Sequence, residues 1–264
     1  FDDIELYQNV RGNDWKSIVL GQTGHVMNHN IVLSGSSDNF RYSVNIAHQY
    51  DKGVMIGSDY RRTNFSLKLN HKITKKISID MQSRYYDMQI SGSGMNEQSG
   101  GRSSDPRMKY VMQYSPIPLK NISLDDDFNE EDFYNNSGLF TPTQYIADNE
   151  RFQFRKGLNI QGSINWEMFE NLKFKTSFSS DNQWLEDQRF FGTTTYYSRR
   201  TSSIQGKPAS GIINRTMNKI INSNTLEYNF KKQLPSQHQL TLLLGQEMIM
   251  ENEKILTLNV DGLP

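Results

Sequence analysis

The chain is 264 residues long, carries 29 Lys and Arg against 29 Asp and Glu, and contains no Cys. The zero net charge gives no support to a nucleic-acid partner, which a basic excess would announce, and the missing Cys excludes disulfides and thiolate metal sites. No run approaches the ~18 apolar residues of a membrane helix, which excludes a helical membrane protein but not a β-barrel, whose alternating strands hardly register in hydropathy.

Only 35% of the residues are hydrophobic, yet there are 14 Phe, 13 Tyr and 3 Trp. That is too aromatic for a disordered chain and suits strands that are apolar on one face and joined by polar loops. The length allows one large all-β domain or two small ones. Phe1-Asp2-Asp3-Ile4 is no signal peptide, and Val260–Pro264 reads as loop, so the expectation is an internal segment of a longer protein.

Residues 1–25 read as an irregular lead-in, with a helical turn near Asn13–Ile18 capped by Asp14 or Asn13. Residues 26–264 then read as strands. The first covers about Val26–Gly35. The second, Phe40–Tyr50, is the clearest early signal: Phe40, Tyr42, Val44, Ile46, His48 and Tyr50 alternate with Arg41, Ser43, Asn45, Ala47 and Gln49, a period of two. The third covers about Tyr60–Lys72 and the fourth about Lys76–Ile90. A long connection, about 91–149, opens with Gly and Ser and passes through an acidic run at Asp125–Asp132. The fifth strand sets Phe152, Phe154, Leu158, Ile160, Ile164 and Trp166 against Gln153, Arg155, Asn159, Gln161, Ser163 and Asn165. The sixth runs from Leu172 to about Glu186. A second long connection is expected at about 187–214, then strands at about Arg215–Phe230 and His238–Glu251.

The connections alternate. Those at Ser36, Thr74, Glu170 and Pro235 are tight; those at Asp51, Ser91 and Asp187 are longer. In an antiparallel meander alternate turns share an end, so all the large loops fall on one side. Short turns at one end and long loops at the other mark outer-membrane barrels, and strands of this length exceed the ~5–6 residues usual in globular sheets. Aromatics near strand ends, such as Tyr42, Trp166 and Phe169 at the tight turns and Tyr50, Tyr60, Tyr85 and Phe152 at the other end, fit two interfacial girdles. The fold class expected is therefore all-β: an antiparallel meander of about eight long strands, part of a transmembrane β-barrel, with two long loops at one end. The alternative is a soluble or surface-exposed β-sheet ligand-binding module whose aromatics fill a sandwich core.

The stretch Asn28-His29-Asn30-Ile31-Val32-Leu33-Ser34-Gly35, followed by Phe40-Arg41-Tyr42-Ser43, resembles the start of the barrel in SusC/RagA-type TonB-dependent transporters. Ser58-Asp59-Tyr60-Arg61-Arg62, Leu67-Lys68-Leu69-Asn70, Asn165-Trp166-Glu167 with Leu172-Lys173-Phe174, and Gln237–Leu244 with Gly245-Gln246-Glu247 are similar to later parts of that barrel, in the same order. The resemblance implies a barrel of about 22 strands, of which this chain would be about a third, in the outer membrane. It implies uptake of oligosaccharide or peptide, a SusD-like lipoprotein partner, and coupling to the TonB complex through a plug outside these residues. Asn45, Lys68, Asp80, Arg84, Gln161 and Asn165 would face the lumen.

The aromatic and basic run Phe190, Phe191, Tyr196, Tyr197, Arg199 and Arg200 is the expected ligand loop, since aromatic faces stack on sugars and Arg takes carboxylates bidentately. Asp125, Asp127 and Asn129 have the spacing that opens a calcium loop, but Glu130 and Asn136 stand where Gly and Glu are needed, and a solvated acidic loop is the plainer reading. His25 and His29 share a strand face, with Asn28 and Asn30 nearby, and a family-motif His near a tight turn is a plainer reading than a metal ligand. No Ser/His/Asp arrangement or Gly-x-Ser-x-Gly elbow is present, so no enzyme is expected, and no cofactor.

Overall fold

The computed structural model describes residues 11–92, 111–112, 116, 141–195, 198, 206–230, 238 and 240–263. Eight antiparallel strands form one sheet in sequence order, β1(His25–Ser36), β2(Phe40–Lys52), β3(Asp59–Lys72), β4(Ile77–Ser91), β5(Asn149–Phe169), β6(Leu172–Phe191), β7(Ala209–Asn229) and β8(Thr241–Asp261). The short helices α1(Trp15–Leu20) and α2(Pro142–Ala147) lie at the end where the long connections are.

The tight turns close with local chemistry. Ser37 donates its N–H to the Phe40 carbonyl at 2.7 Å and accepts from the Phe40 N–H on its hydroxyl at 3.2 Å. The Thr74 hydroxyl accepts from the N–H groups of Lys76 and Ile77, both at 3.1 Å, a hydroxyl turn that replaces a backbone one. Only residues 170–171 separate β5 from β6. The turn expected at Pro235 lies outside the described residues; on its flanks Phe230 N–H donates to Leu240 C=O at 2.9 Å, carrying the β7–β8 ladder past the strand ends. At the other end Gly57, with φ of +73°, sits in a conformation a side chain would resist.

Four strands run further than the alternation alone suggests, β5 among them from Asn149. β6 extends to Phe191, β7 begins at Ala209, and β8 continues to Asp261. The connection expected at 187–214 is accordingly confined to 192–208, and Val260 and Asp261 are strand. The reason is pairing: each of these segments finds a partner over its whole length, as in Phe191↔Ala209↔Asp261, so ladder hydrogen bonds hold residues whose own side-chain pattern is mixed.

Register places residues on two faces. Phe40, Tyr42, Val44, Ile46 and His48 share a face with Leu67, Leu69, Met81, Ile160, Ile164, Phe178, Leu226 and Leu244; Ser43, Asn45, Lys68, Asp80, Arg84, Gln161 and Asn165 lie on the other. The apolar face stays open: Ile31 is 68% exposed, Leu33 59%, Phe178 50% and Leu244 60%. Among the described residues the buried apolar side chains are Val19, Ile90, Val111, Tyr145, Ile146 and Ala209, all at the long-loop end. The core therefore sits above the sheet's edge and not beneath either face.

The apolar zone does not follow one register row. Ile31, Ile46 and Phe65 are in register with Asn182, Asn218 and Asn252 on the far strands. On β8 the same face is apolar lower down, at Leu242, Leu244, Met248 and Met250. An apolar belt oblique to the hydrogen-bond rows is what strand tilt in a barrel produces, because rows run perpendicular to strands and the belt runs perpendicular to the barrel axis.

Candidate functional site

The polar face is the candidate site, and it is organised in tiers. Nearest the tight turns, Asp80 on β4 gathers its neighbours: Asn70 donates to it at 2.5 Å and Asn165 at 2.7 Å. The amides spread one carboxylate's charge over three adjacent strands. Arg41, Lys68, Gln161 and Lys175 line a shallow depression around this network.

Midway, Arg62 lies 5.2 Å over the ring of Tyr86, in cation–π range, and donates from Nε to Asn64 at 2.8 Å. The Tyr86 ring in turn covers Gly157 across the strand pair, where a Cβ would collide with it. Gly35 lies under Tyr42 in the same way. These glycines have ordinary backbone angles; the ring is the reason for them. On the far strands Arg215 pairs with Glu253, and Lys219 with Glu251 at 3.3 Å.

Toward the long loops the face becomes buried. Arg151 donates to Asp187 from Nε at 2.9 Å and through a second nitrogen, a bidentate fork. Gln153 donates to the same carboxylate at 3.1 Å, and Arg189 lies 3.8 Å from it. Arg151, Gln153 and Asp187 are each under 10% exposed. Alternation in the fifth strand already placed Gln153 and Arg155 on the polar face. Arg151 and Asp187 escaped that reading because both stand beyond the boundaries drawn for their strands; continuing the period of two from Gln183 through Leu185 would have reached Asp187.

Beside this cluster α1 and α2 join through Val19, Val111, Tyr145 and Ile146. Asp14 caps α1, accepting from the Ser17 N–H at 3.0 Å; the Ser17 hydroxyl and N–H together hold its carboxyl below the usual range. Thr141 caps α2 in a reciprocal box with Gln144. Gln22 fastens the lead-in to the β2–β3 loop through the carbonyls of Gly53 and Met55, at 2.5 and 2.9 Å.

The residues expected to form a ligand loop divide. Phe190 and Phe191 belong to β6, paired with Ser210 and Ala209, and as successive strand residues they point to opposite faces. They are therefore not one aromatic platform. Tyr196, Tyr197, Arg199 and Arg200 lie outside the described residues, as do Asp125, Asp127 and Asn129. His29 and His48 are directly paired on the apolar face, and the His48 Nδ1 is 2.9 Å from the Thr63 hydroxyl. Among the described residues no three His, Asp or Glu side chains come together as a metal site.

No family model matches the chain. A TonB-dependent receptor, P3, of Formosa agariphila is 22% identical over 191 residues, which is 71% of this chain and 18% of that protein. The RagAB peptide importer in its closed-closed state superposes with a TM-score of 0.66 at 14% identity, over 95% of this chain and 27% of the other. Its open-open state gives 0.64 at 15% identity, over 94% and 26%. The chain is similar to the SusC/RagA-type TonB-dependent transporters. The likeness is found in sequence with the receptor and in fold with the importer. It extends to about a fifth of the one and a quarter of the other, and the eight-stranded meander is the part held in common with the importer.

Proposed function

We propose that residues 26–264 form part of the wall of an outer-membrane TonB-dependent importer, with residues 1–25 leading in to it. The observation that carries this reading is the open apolar face. Water would not tolerate so many exposed Ile, Leu, Phe and Met side chains on one face of seven of the eight strands, while lipid would, and the opposite face is polar enough to hydrate a passage. The substrate is an oligosaccharide or peptide, taken up and not chemically altered. A SusD-like lipoprotein closes the long-loop end, and TonB acts on a plug outside these residues.

Single cysteines, placed in a full-length protein cleared of any others, make the test. In the full-length protein, Lys68→Cys on the polar face is expected to react with a water-soluble maleimide in intact cells, while its neighbour Leu67→Cys reacts only with a lipid-soluble one. Equal labelling of the two by the water-soluble reagent would mean that no lipid covers the apolar face, and the importer reading would fall.

A further inference from the structure

We propose that Arg155 is the centre of a carboxylate-binding subsite on the polar face, with Gln153 and Arg62 beside it; this rests on the importer reading and names the chemistry that its passage selects. Arg155 is half-buried, and its Nε is buried with no hydrogen-bond partner. The Gln153 Oε1, on a side chain only 4% exposed, is also without a partner. An unmet donor and an unmet acceptor thus stand two residues apart on one face of β5. Desolvating both without a partner costs stability, and a ligand offers the missing partner.

The neighbours say which ligand. Arg155 is in register with Met88 on one side and Leu185 on the other, and Arg62 is the residue beyond Met88. Two guanidinium-bearing residues therefore flank Met88, with Cα atoms about 10 Å apart across two strand spacings. Among the described residues no carboxylate is paired with Arg155. Asp187, on β6 opposite Gln153, is already shared by Arg151 and Gln153. A planar fork beside an apolar floor suits a carboxylate attached to an extended chain, the fork binding the oxygens and the amide carbonyl of Gln153 taking an N–H or hydroxyl proton. An acidic peptide and a uronate oligosaccharide both present that group.

The test is direct binding to the detergent-solubilised full-length protein. The probes are an alternating Ala-Glu hexapeptide, its Gln counterpart with an amidated end, tetragalacturonate and its methyl ester. Arg155→Gln is expected to weaken a carboxylate-bearing probe about tenfold or more and to leave the uncharged counterparts unchanged. Arg155→Lys, which keeps the charge and loses the fork, is expected to fall between. Loss confined to the peptide or to the uronate names the source of the carboxylate. Wild-type protein that binds charged and uncharged probes alike, or variants that bind acidic probes like wild type, would overturn the subsite. A heat-modifiable gel shift reports that each variant is folded; should Arg155→Gln fail it, Arg155→Lys decides alone. Uptake by cells is scored separately, so that binding without uptake counts against the importer reading only.

Discussion

The first four strands and the last four are built on different lengths. β1 to β4 have 12, 13, 14 and 15 residues; β5 to β8 have 21, 20, 21 and 21. A tilted strand needs ~9–11 residues to cross a bilayer, so the early strands hold little beyond that crossing while the late ones hold nearly twice it. The surplus is at the long-loop end, and its side chains are mixed: on the face that is apolar at Leu244 and Met250, β8 presents Asn252 and Lys254 and then Leu256, Leu258 and Val260. Solvation dictates the lower part, side chain by side chain. Pairing to a neighbour dictates the upper part, where Arg151, Gln153 and Asp187 are buried together.

That contrast is breakable from either side. The largest effect is expected for Arg151→Ala, which leaves Asp187 buried beside fewer donors and should cost about 3–5 kcal/mol. Hydrogen exchange should rise along residues 149–154 and 185–191 and stay unchanged around Leu67. Leu67→Arg should do the reverse, costing about 2–4 kcal/mol in a bilayer, against about 0–1 for Leu258→Arg on the projecting part of β8; unfolding titrations in vesicles compare the two. Equal costs would erase the distinction between belt and projection. Gly157→Ala should cost about 1 kcal/mol, because the new methyl displaces the Tyr86 ring from beneath Arg62; altered Tyr86 ring signals would register it. Thr141→Ala should loosen α2 by about 1 kcal/mol, seen as faster exchange at Gln144 and Tyr145 alone.

The smallest effect concerns Asp14. Its pKa is lowered on folding, chiefly by the Ser17 hydroxyl. A lowered folded pKa means that the cap is at full strength above the carboxylate's ordinary range, near 3.8, and is lost as pH falls through the folded value. Exchange at Ser17 is expected to quicken only on strong acidification, and Asp14→Asn, which caps without a charge, to flatten that dependence.

Much of this was legible in the residues. The two faces of β2 could be read from Phe40 to Tyr50 without any structure, and the tight turns at Ser36, Thr74 and Glu170 set the order of most of the meander. What was not legible has physical causes. Pairing extended β6, β7 and β8 through Arg189, Ile212 and Leu256, whose own pattern carries mixed signals. The small core joins Val19 to Tyr145 and Ile146, more than a hundred positions along, and no local period announces such a contact. Gly157 reads as a weak point in a strand until the ring that needs its missing side chain is placed. Phe190 and Phe191, expected in a loop, are strand because they pair with Ser210 and Ala209 some twenty positions on, a contact that no local pattern announces.

The oblique belt also acts as a proofreader of strand pairing. A slip of one residue would turn every side chain to the wrong face and is self-evidently excluded. A slip of two keeps every side chain on its proper face, and alternation cannot detect it. For β8 against β7, one such slip sets Lys219 opposite Ile249 in place of Glu251, and the other sets Asn252 opposite Ile220 in place of Met250. Either error changes what a given depth presents to its surroundings, so the slant that tilt imposes also makes the correct assembly distinguishable from its nearest well-formed mistakes.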